Sequence, residues 1–225
     1  MPELPEVETV RRGLHELIIG KAVQSESHDT PKGFPNVPAD VAQFLVGAHI
    51  ADVRRRAKVL MIDLDSNYSL LIHLKMTGQL VYVGETRFGA GHPNESLVAA
   101  LPDRSTRVTL TFTDGTQLFF NDQRKFGWMK LLPTAEIPNV PFMKKVGPEP
   151  LEADFSVQDF AQRLARRPKS NVKAVLLDQA VIAGVGNIYA DESLWGAKVH
   201  PQRLTGSLTA QEIADLYREL REVMN

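Results

Sequence analysis

The chain has 225 residues, of which 43% are hydrophobic and 24% charged, and its 26 Lys and Arg against 27 Asp and Glu leave a net charge of −1. That composition excludes disorder as the main state, and the balance of charge excludes a uniformly cationic coat for nucleic acid while leaving room for a local basic face. The chain has no cysteine, which removes disulfides, thiolate catalysis and Cys-built metal sites and agrees with a reducing compartment.

The length fits one large domain or two small ones. No apolar run reaches the roughly eighteen residues that a membrane helix needs. The start, Met1-Pro2-Glu3-Leu4-Pro5-Glu6, carries acids where a signal peptide needs a basic region, so a cytoplasmic protein is expected.

Residues 5–19 are predicted helical, because Val7, Val10, Leu14, Leu17 and Ile18 recur at helical spacing and Pro5 suits a first turn. From about Gly47 to Leu132 the pattern turns to strands. Runs 59–64, 70–74, 108–112 and 117–120 are short and rich in β-branched and aromatic residues, with turn signals at 65–67 and 113–116. Such spacing predicts antiparallel pairing in a sandwich or barrel. Gly84–Arg104 reads as a loop, and the Pro-rich segment 134–150 as a linker.

Helices follow. Ser156 is expected to cap one that runs to about Arg166, and Asn171–Gln179 forms a second. The Gly-rich turn Ala183–Asn187 leads into a third near Ile188–Gly196. Thr209 and Glu212 form a capping box for a fourth, with Ile213, Leu216, Leu220 and Val223 as its apolar face. No C-cap follows, which reads as a cut at Asn225. The domains expected are 1–133, a linker 134–150, and 151–225.

Four features carry chemistry. Methionine is normally trimmed before proline, which would leave Pro2 with a free secondary amine. An α-amino group titrates at roughly 7.7–8.0, so a useful fraction is unprotonated near neutrality and can attack an electrophilic carbon. Glu3 beside it can move a proton. Taken alone, Met-Pro is a common start without meaning. The second feature is Arg54-Arg55-Arg56-Ala57-Lys58 before an apolar strand, able to neutralise phosphates or simply to protect a solvated edge strand. Strand alternation would aim Lys58.

The third is Asn121–Trp128, where Arg124 and Phe126 offer a hydrogen-bonding fork and an apolar wedge of the kind that enters a duplex; the bland alternative is a hairpin with a core Phe. The fourth is Gly184 and Gly186 ahead of a helix N-terminus, with Asn187 as a further donor, a combination suited to phosphate. The cations Arg163, Arg166, Arg167, Lys169 and Lys173 precede it with no acid between Phe160 and Leu177.

Together these features, with 1–12 (MPELPEVETVRR), Arg55-Arg56-Ala57-Lys58, His73-Leu74-Lys75-Met76-Thr77-Gly78, Arg124-Lys125-Phe126-Gly127, Gly147-Pro148-Glu149-Pro150-Leu151 and Gly184–Leu194, occur in order along the whole chain. The sequence closely resembles the bacterial formamidopyrimidine-DNA glycosylases. The resemblance implies an α+β fold: a two-layer β-sandwich with an N-terminal helix, then a helix–two-turns–helix domain.

It implies a base-excision repair enzyme that releases oxidised purines from damaged double-stranded DNA and cleaves abasic sites as a lyase. Pro2 would be the nucleophile at C1′, Glu3 the proton donor, and Lys58 a contact to the phosphate beside the lesion that assists elimination. Met76, Arg124 and Phe126 would fill the gap left by the extruded base, and Lys169, Lys173 and Asn187 would hold phosphates.

Two departures stand out. The family's four-cysteine zinc finger, with the DNA-contacting arginine it carries and the loop before it that closes over an oxidised purine, is missing, so no cofactor or metal is expected in this chain. The family's DNA-contacting His before strand 108–112 is replaced near Ser105, and the flanks of His92 do not match. A monomer is expected, acting at the bacterial nucleoid. The alternatives are an endonuclease VIII-like enzyme for oxidised pyrimidines, disfavoured by Leu4, and a non-catalytic damaged-DNA-binding module, which would follow if Met1 were retained.

Overall fold

The computed structural model describes all 225 residues. They form two compact units, Met1–Pro2 with Glu6–Val140, and Glu3–Pro5 with Pro141–Asn225.

In the first unit, helix α1 (Leu4–Ile18) buries Val7, Val10, Leu14 and Ile18, one face at helical spacing. Strand β1 (Val23–His28) follows, then the short helix α2 (Pro38–Asp40). Strands β2 (Ile50–Arg56), β3 (Val59–Leu64), β4 (Tyr68–His73), β5 (Gly78–Val83), β6 (Arg87–Gly91), β7 (Thr106–Phe112), β8 (Gln117–Asp122) and β9 (Trp128–Pro133) complete it. They form a five-stranded sheet in the order β1-β7-β8-β5-β6 and a four-stranded sheet in the order β2-β3-β4-β9. Every pairing is antiparallel.

One apolar cluster joins Leu80, Leu110, Phe112 and Phe120 of the first sheet to Val53, Ile62, Leu70 and Ile72 of the second, with the buried face of α1. Two layers packed face to face are the expected way for two sheets to bury their facing apolar sides.

Two strands depart from the sequence reading. Only Val23 of β1 is buried, so no apolar alternation announces the strand; it exists through its ladder with β7. β6 lies inside the segment expected as a loop, 84–104, and two of its five residues are glycine; pairing with β5 holds it. The segment 134–150 is not a loose linker either. It contains a 3₁₀ turn (Thr134–Asn139) and helix α3 (Pro141–Lys145). The boundary between the units falls at Val140, and beyond it the Gly147 N–H donates to the Gln179 carbonyl at 2.8 Å while Glu149 is buried.

The second unit is helical: α4 (Val157–Ala165), α5 (Val172–Leu177), α6 (Asn187–Gly196) and α7 (Ala210–Met224) follow α3. Its core gathers Phe160, Leu164, Val175, Leu176, Leu194, Leu216 and Leu220 around Leu4. Side chains of Ser156, Asn171 and Thr209 cap α4, α5 and α7, each accepting from the backbone N–H three residues on, and Glu212 completes the box on α7. Each such cap contributes about 1 kcal/mol. Ile213 and Val223 are only partly buried, and Met224 fills the core position expected of Val223.

Candidate functional site

In the first unit Met1 is exposed and Pro2 is buried. Lys58 does not take its direction from strand alternation. Arg56 pairs with Val59, so Ala57 and Lys58 are the two residues of a tight turn, and Ala57 adopts a left-handed φ of 52°. Lys58 is buried there, 5% exposed.

The cations before it are not a free phosphate-binding patch. Arg54 Nη2 donates to Asp63 at 3.0 Å. Arg55 Nε donates to Glu8 at 3.0 Å and its Nη1 to the Ala57 carbonyl at 3.0 Å, which ties α1 to the turn that carries Lys58. β2 is also an edge strand of its sheet, so these arginines guard an edge and build a mount. Burial alone would raise the Glu8 carboxyl, but hydrogen bonds from Arg11, Arg55 and Arg12 outweigh it and hold it down at about 2.

His73, at the end of β4, was not singled out as a site residue by its sequence position. Its Nδ1 accepts the Lys75 N–H at 3.0 Å, which fixes the ring and its tautomer. Burial, then the charges of Lys75 and Lys58, push its pKa down to about 3 from 6.5.

The pH dependence follows from both groups. Below about 6.5 the unfolded chain takes a proton on His73 that the native state refuses until about 3, so stability falls by roughly 1.4 kcal/mol per pH unit in that window. Below 4.5 Glu8 adds to the loss, since the folded carboxylate stays ionised until about 2. Urea unfolding of the wild type and His73→Gln at about pH 7, 5 and 4 checks this. The variant should show the flatter decline between 6.5 and 4.5; equal slopes refute the assignment.

The expected base-replacing residues lie on two neighbouring turns, Leu74–Gly78 and Asn121–Gly127. Met76 is 39% and Phe126 46% exposed, and Arg124 is exposed too, so Phe126 is not a core residue. Nor is this a hairpin, because β8 and β9 belong to different sheets. The Arg124 guanidinium lies over the Phe126 ring at 4.9 Å, and Lys32 Nζ lies 5.9 Å from the same ring.

The two turns are joined by Asp122 and Thr77, residues of the motifs quoted above to which the sequence assigns no role; only the Asx-turn tendency of Asp122 ahead of Gly127 points to one. Ser105 is buried and donates to Asp103, so it faces inward. His92 sits beside Gly78, to whose carbonyl its N–H donates at 3.0 Å, and its pKa is pushed down by burial and by the N-terminal amine.

In the second unit Glu3 is 1% exposed. Its Oε2 accepts the N–H of Gly186 at 2.7 Å and of Tyr189 at 3.4 Å, and its Oε1 that of Ile188 at 2.9 Å. The carboxylate therefore occupies the N-terminus of α6, where the unpaired backbone donors and the helix dipole favour an anion. The sequence reading gave that terminus to phosphate; the chain's own Glu3 takes its innermost donors, and Asn187 stays exposed at the first turn.

Glycine is required here for space. A Cβ on Gly186 would lie 2.4 Å from the Glu3 carboxyl carbon, and one on Gly184, whose φ is +86°, 2.5 Å from Leu4. The Gln179 amide ties the loop together, accepting from Gly184 N and donating to the Val185 carbonyl, both at 2.8 Å.

The cation run is less free than its sequence suggests. Arg163 pairs with Asp159, Arg167 with Asp178, and Lys173 Nζ with Asp191 at 2.8 Å. Lys169 is exposed on the loop before α5. No group of three or more His, Cys, Asp or Glu is placed to hold a metal ion, and without cysteine a four-cysteine zinc site has no donors in this chain. No helix is long and apolar enough to cross a membrane.

Comparison with known proteins gives consistent matches. The family model for the formamidopyrimidine-DNA glycosylase N-terminal domain matches residues 1–129, and that for the formamidopyrimidine-DNA glycosylase H2TH domain matches residues 146–225. The chain is 42% identical over 232 residues to the formamidopyrimidine-DNA glycosylase of Herpetosiphon aurantiacus, covering 100% of this chain and 77% of that one. It is 40% identical over 224 residues to that of Paracoccus denitrificans, covering 100% and 77%.

Among solved structures it is similar to Lactococcus lactis Fpg in complex with DNA containing an abasic site, with a TM-score of 0.86, 32% identity and coverage of 99% of this chain and 76% of that one. The wild-type Lactococcus lactis protein with DNA containing N7-benzyl-Fapy-dG matches with a TM-score of 0.86 at 33% identity, covering 99% and 77%.

Proposed function

The chain belongs to the formamidopyrimidine-DNA glycosylase family, and from that we propose that it releases oxidised purines, 8-oxoguanine and formamidopyrimidines, from damaged double-stranded DNA and then cleaves the abasic site as a lyase. The observation that carries this reading is the fixed Glu3 carboxylate, buried on the α6 N-terminus directly after Pro2. A proton-transfer group adjoining the N-terminal amine is what this chemistry requires.

With Met1 removed, the Pro2 nitrogen attacks C1′ and forms a C–N bond as the bond to the base breaks. The base leaves with a proton, for which Glu3 is the donor. The sugar ring then opens: the C1′–O4′ bond breaks, the proton of the attacking nitrogen passes to O4′, and an iminium is left between Pro2 and C1′. This cation acidifies the C2′ hydrogen; loss of that proton breaks the C3′–O bond and expels the 3′ phosphate. Water then hydrolyses the imine and restores the amine.

Lys58 is assigned to the phosphate next to the lesion, with neutral His73 beside it. Met76, Arg124 and Phe126 fill the space of the extruded nucleotide, with Arg124 facing the orphaned base. Lys169, Lys173 and Asn187 hold phosphates; Lys173 must exchange Asp191 for its phosphate, whereas Lys169 needs no such exchange. The chemistry assigned to these residues calls on no metal or organic cofactor. The protein acts as a monomer in the cytoplasm, at the nucleoid.

The test is a duplex carrying one 8-oxoguanine opposite cytosine. Free 8-oxoguanine by chromatography, together with strand scission at the same position, is the expected result. Release of an oxidised pyrimidine alone would favour an endonuclease VIII-like activity, and binding without either product a non-catalytic module.

A further inference from the structure

Asp122 is a carboxylate with no solvent exposure at the end of β8. Its Oδ1 accepts the Thr77 hydroxyl and, at 3.2 Å, the Arg124 N–H, which also reaches Thr77 Oγ1 at 3.1 Å. Its Oδ2 accepts the Gly127 N–H at 2.7 Å. The backbone of the same residue is held on both sides: its N–H donates to the Ser105 carbonyl at 2.8 Å, and its carbonyl accepts Arg107 Nε at 2.8 Å. Arg107 is itself buried and paired with Asp29.

One buried group thus closes the turn 123–127 at both ends and fastens it to Thr77, the residue after Met76. The fit is tight, since a Cβ on Gly127 would lie 2.7 Å from the Phe120 ring and 2.9 Å from the His73 carbonyl. Above this rigid base Met76, Arg124 and Phe126 project into solvent.

A loop that needed only to fold would not require three exposed side chains on a base held by a desolvated carboxylate, which is costly to bury unless fully hydrogen-bonded. We propose that Asp122, through Thr77, is a positioning residue that fixes the spacing and direction of Met76, Arg124 and Phe126, and so governs opening of the duplex at the lesion rather than the chemistry at C1′. This rests on the wedge role given to those three residues above. Misplacing such groups by about an ångström costs up to about 100-fold where the step depends on them.

The experiment separates opening from chemistry. Single-turnover release of 8-oxoguanine from a duplex requires extrusion of a stacked base. Borohydride trapping on a single-stranded oligonucleotide with one abasic site does not, because there is no stacked pair to open. Asp122→Asn keeps the shape but sets an NH₂ against a hydroxyl or backbone N–H donor. Thr77→Val removes one arm and keeps the carboxylate, and it carries the test if Asp122→Asn melts early.

The expected result is duplex release slowed about 10- to 100-fold in either folded variant, a slower fluorescence change of 2-aminopurine beside the lesion, and single-strand trapping within about twofold of wild type. Equal losses in both assays would reduce Asp122 to a folding role, and no loss in either would remove it from the reaction; both overturn the proposal. If the wild type itself traps no abasic strand, the lyase reading falls, an outcome distinct from a wild type that traps while the variants match it on duplex.

Discussion

Glu3→Gln is expected to slow release of an oxidised purine by at least about 100-fold while lowering cleavage of a preformed abasic duplex far less, because general acid catalysis contributes roughly 10²–10⁴ and only base departure needs that proton. The structure makes the comparison demanding. Both oxygens of Glu3 accept backbone N–H groups at the start of α6, so the amide of Gln brings a donor against a donor there. Such a mismatch costs about 1–3 kcal/mol of stability. A midpoint shift in urea is therefore expected alongside the kinetic loss, and the two separate cleanly: instability lowers the active fraction in both assays alike, whereas a missing proton lowers only one. Equal losses in base release and abasic-site cleavage, after correction for the folded fraction, would show Glu3 to be a cap on α6 and nothing more.

Glu3 also shows what a sequence can and cannot disclose. The glycines of Ala183–Asn187 and the helix after them were legible from turn chemistry, and so was an anion at the helix N-terminus. That the anion is the chain's own residue 3 was not, because a contact between positions 3 and 186 has no local trace. The same holds for charge. The run Arg54-Arg55-Arg56 reads as basic, yet Arg54 and Arg55 are taken by Asp63 and Glu8, acids 9 and 47 residues away in sequence. Lys173 likewise meets Asp191 across 18 positions.

Strands with their own apolar or β-branched content, such as β3 and β7, were evident, and so were the capped helices α4 and α7. β1 and β6, which depend on a partner's ladder, were not. Side chains at the tips of turns were found by residue type, as with Arg124 and Phe126. The buried Asp122 and Thr77 beneath them carry no such mark, since their value lies in tertiary bonds.

The largest effect expected in this protein is at Pro2. Removal of Met1 is a precondition: while Met1 is attached the Pro2 nitrogen is an amide and cannot attack, and Met1 is exposed and so open to trimming. Intact mass should show the loss of one methionine. Borohydride should then trap a covalent adduct with an abasic duplex, and peptide mapping should place it on residue 2. One extra residue ahead of Pro2 should abolish the adduct, a loss bounded only by the assay, since it converts the nucleophile to an amide without touching the core. Pro2→Gly keeps an amine at the same position and retains partial trapping, the result that distinguishes loss of the nucleophile from loss of fold. Lys58 is the rival, being a buried amine in the same unit with the neutral His73 beside it. An adduct on Lys58 with Pro2 unmodified would move the nucleophile and keep the lyase class, because a lysine amine forms the same imine. No adduct at all from a protein shown to lack Met1 would end the lyase reading and leave a damaged-DNA-binding module.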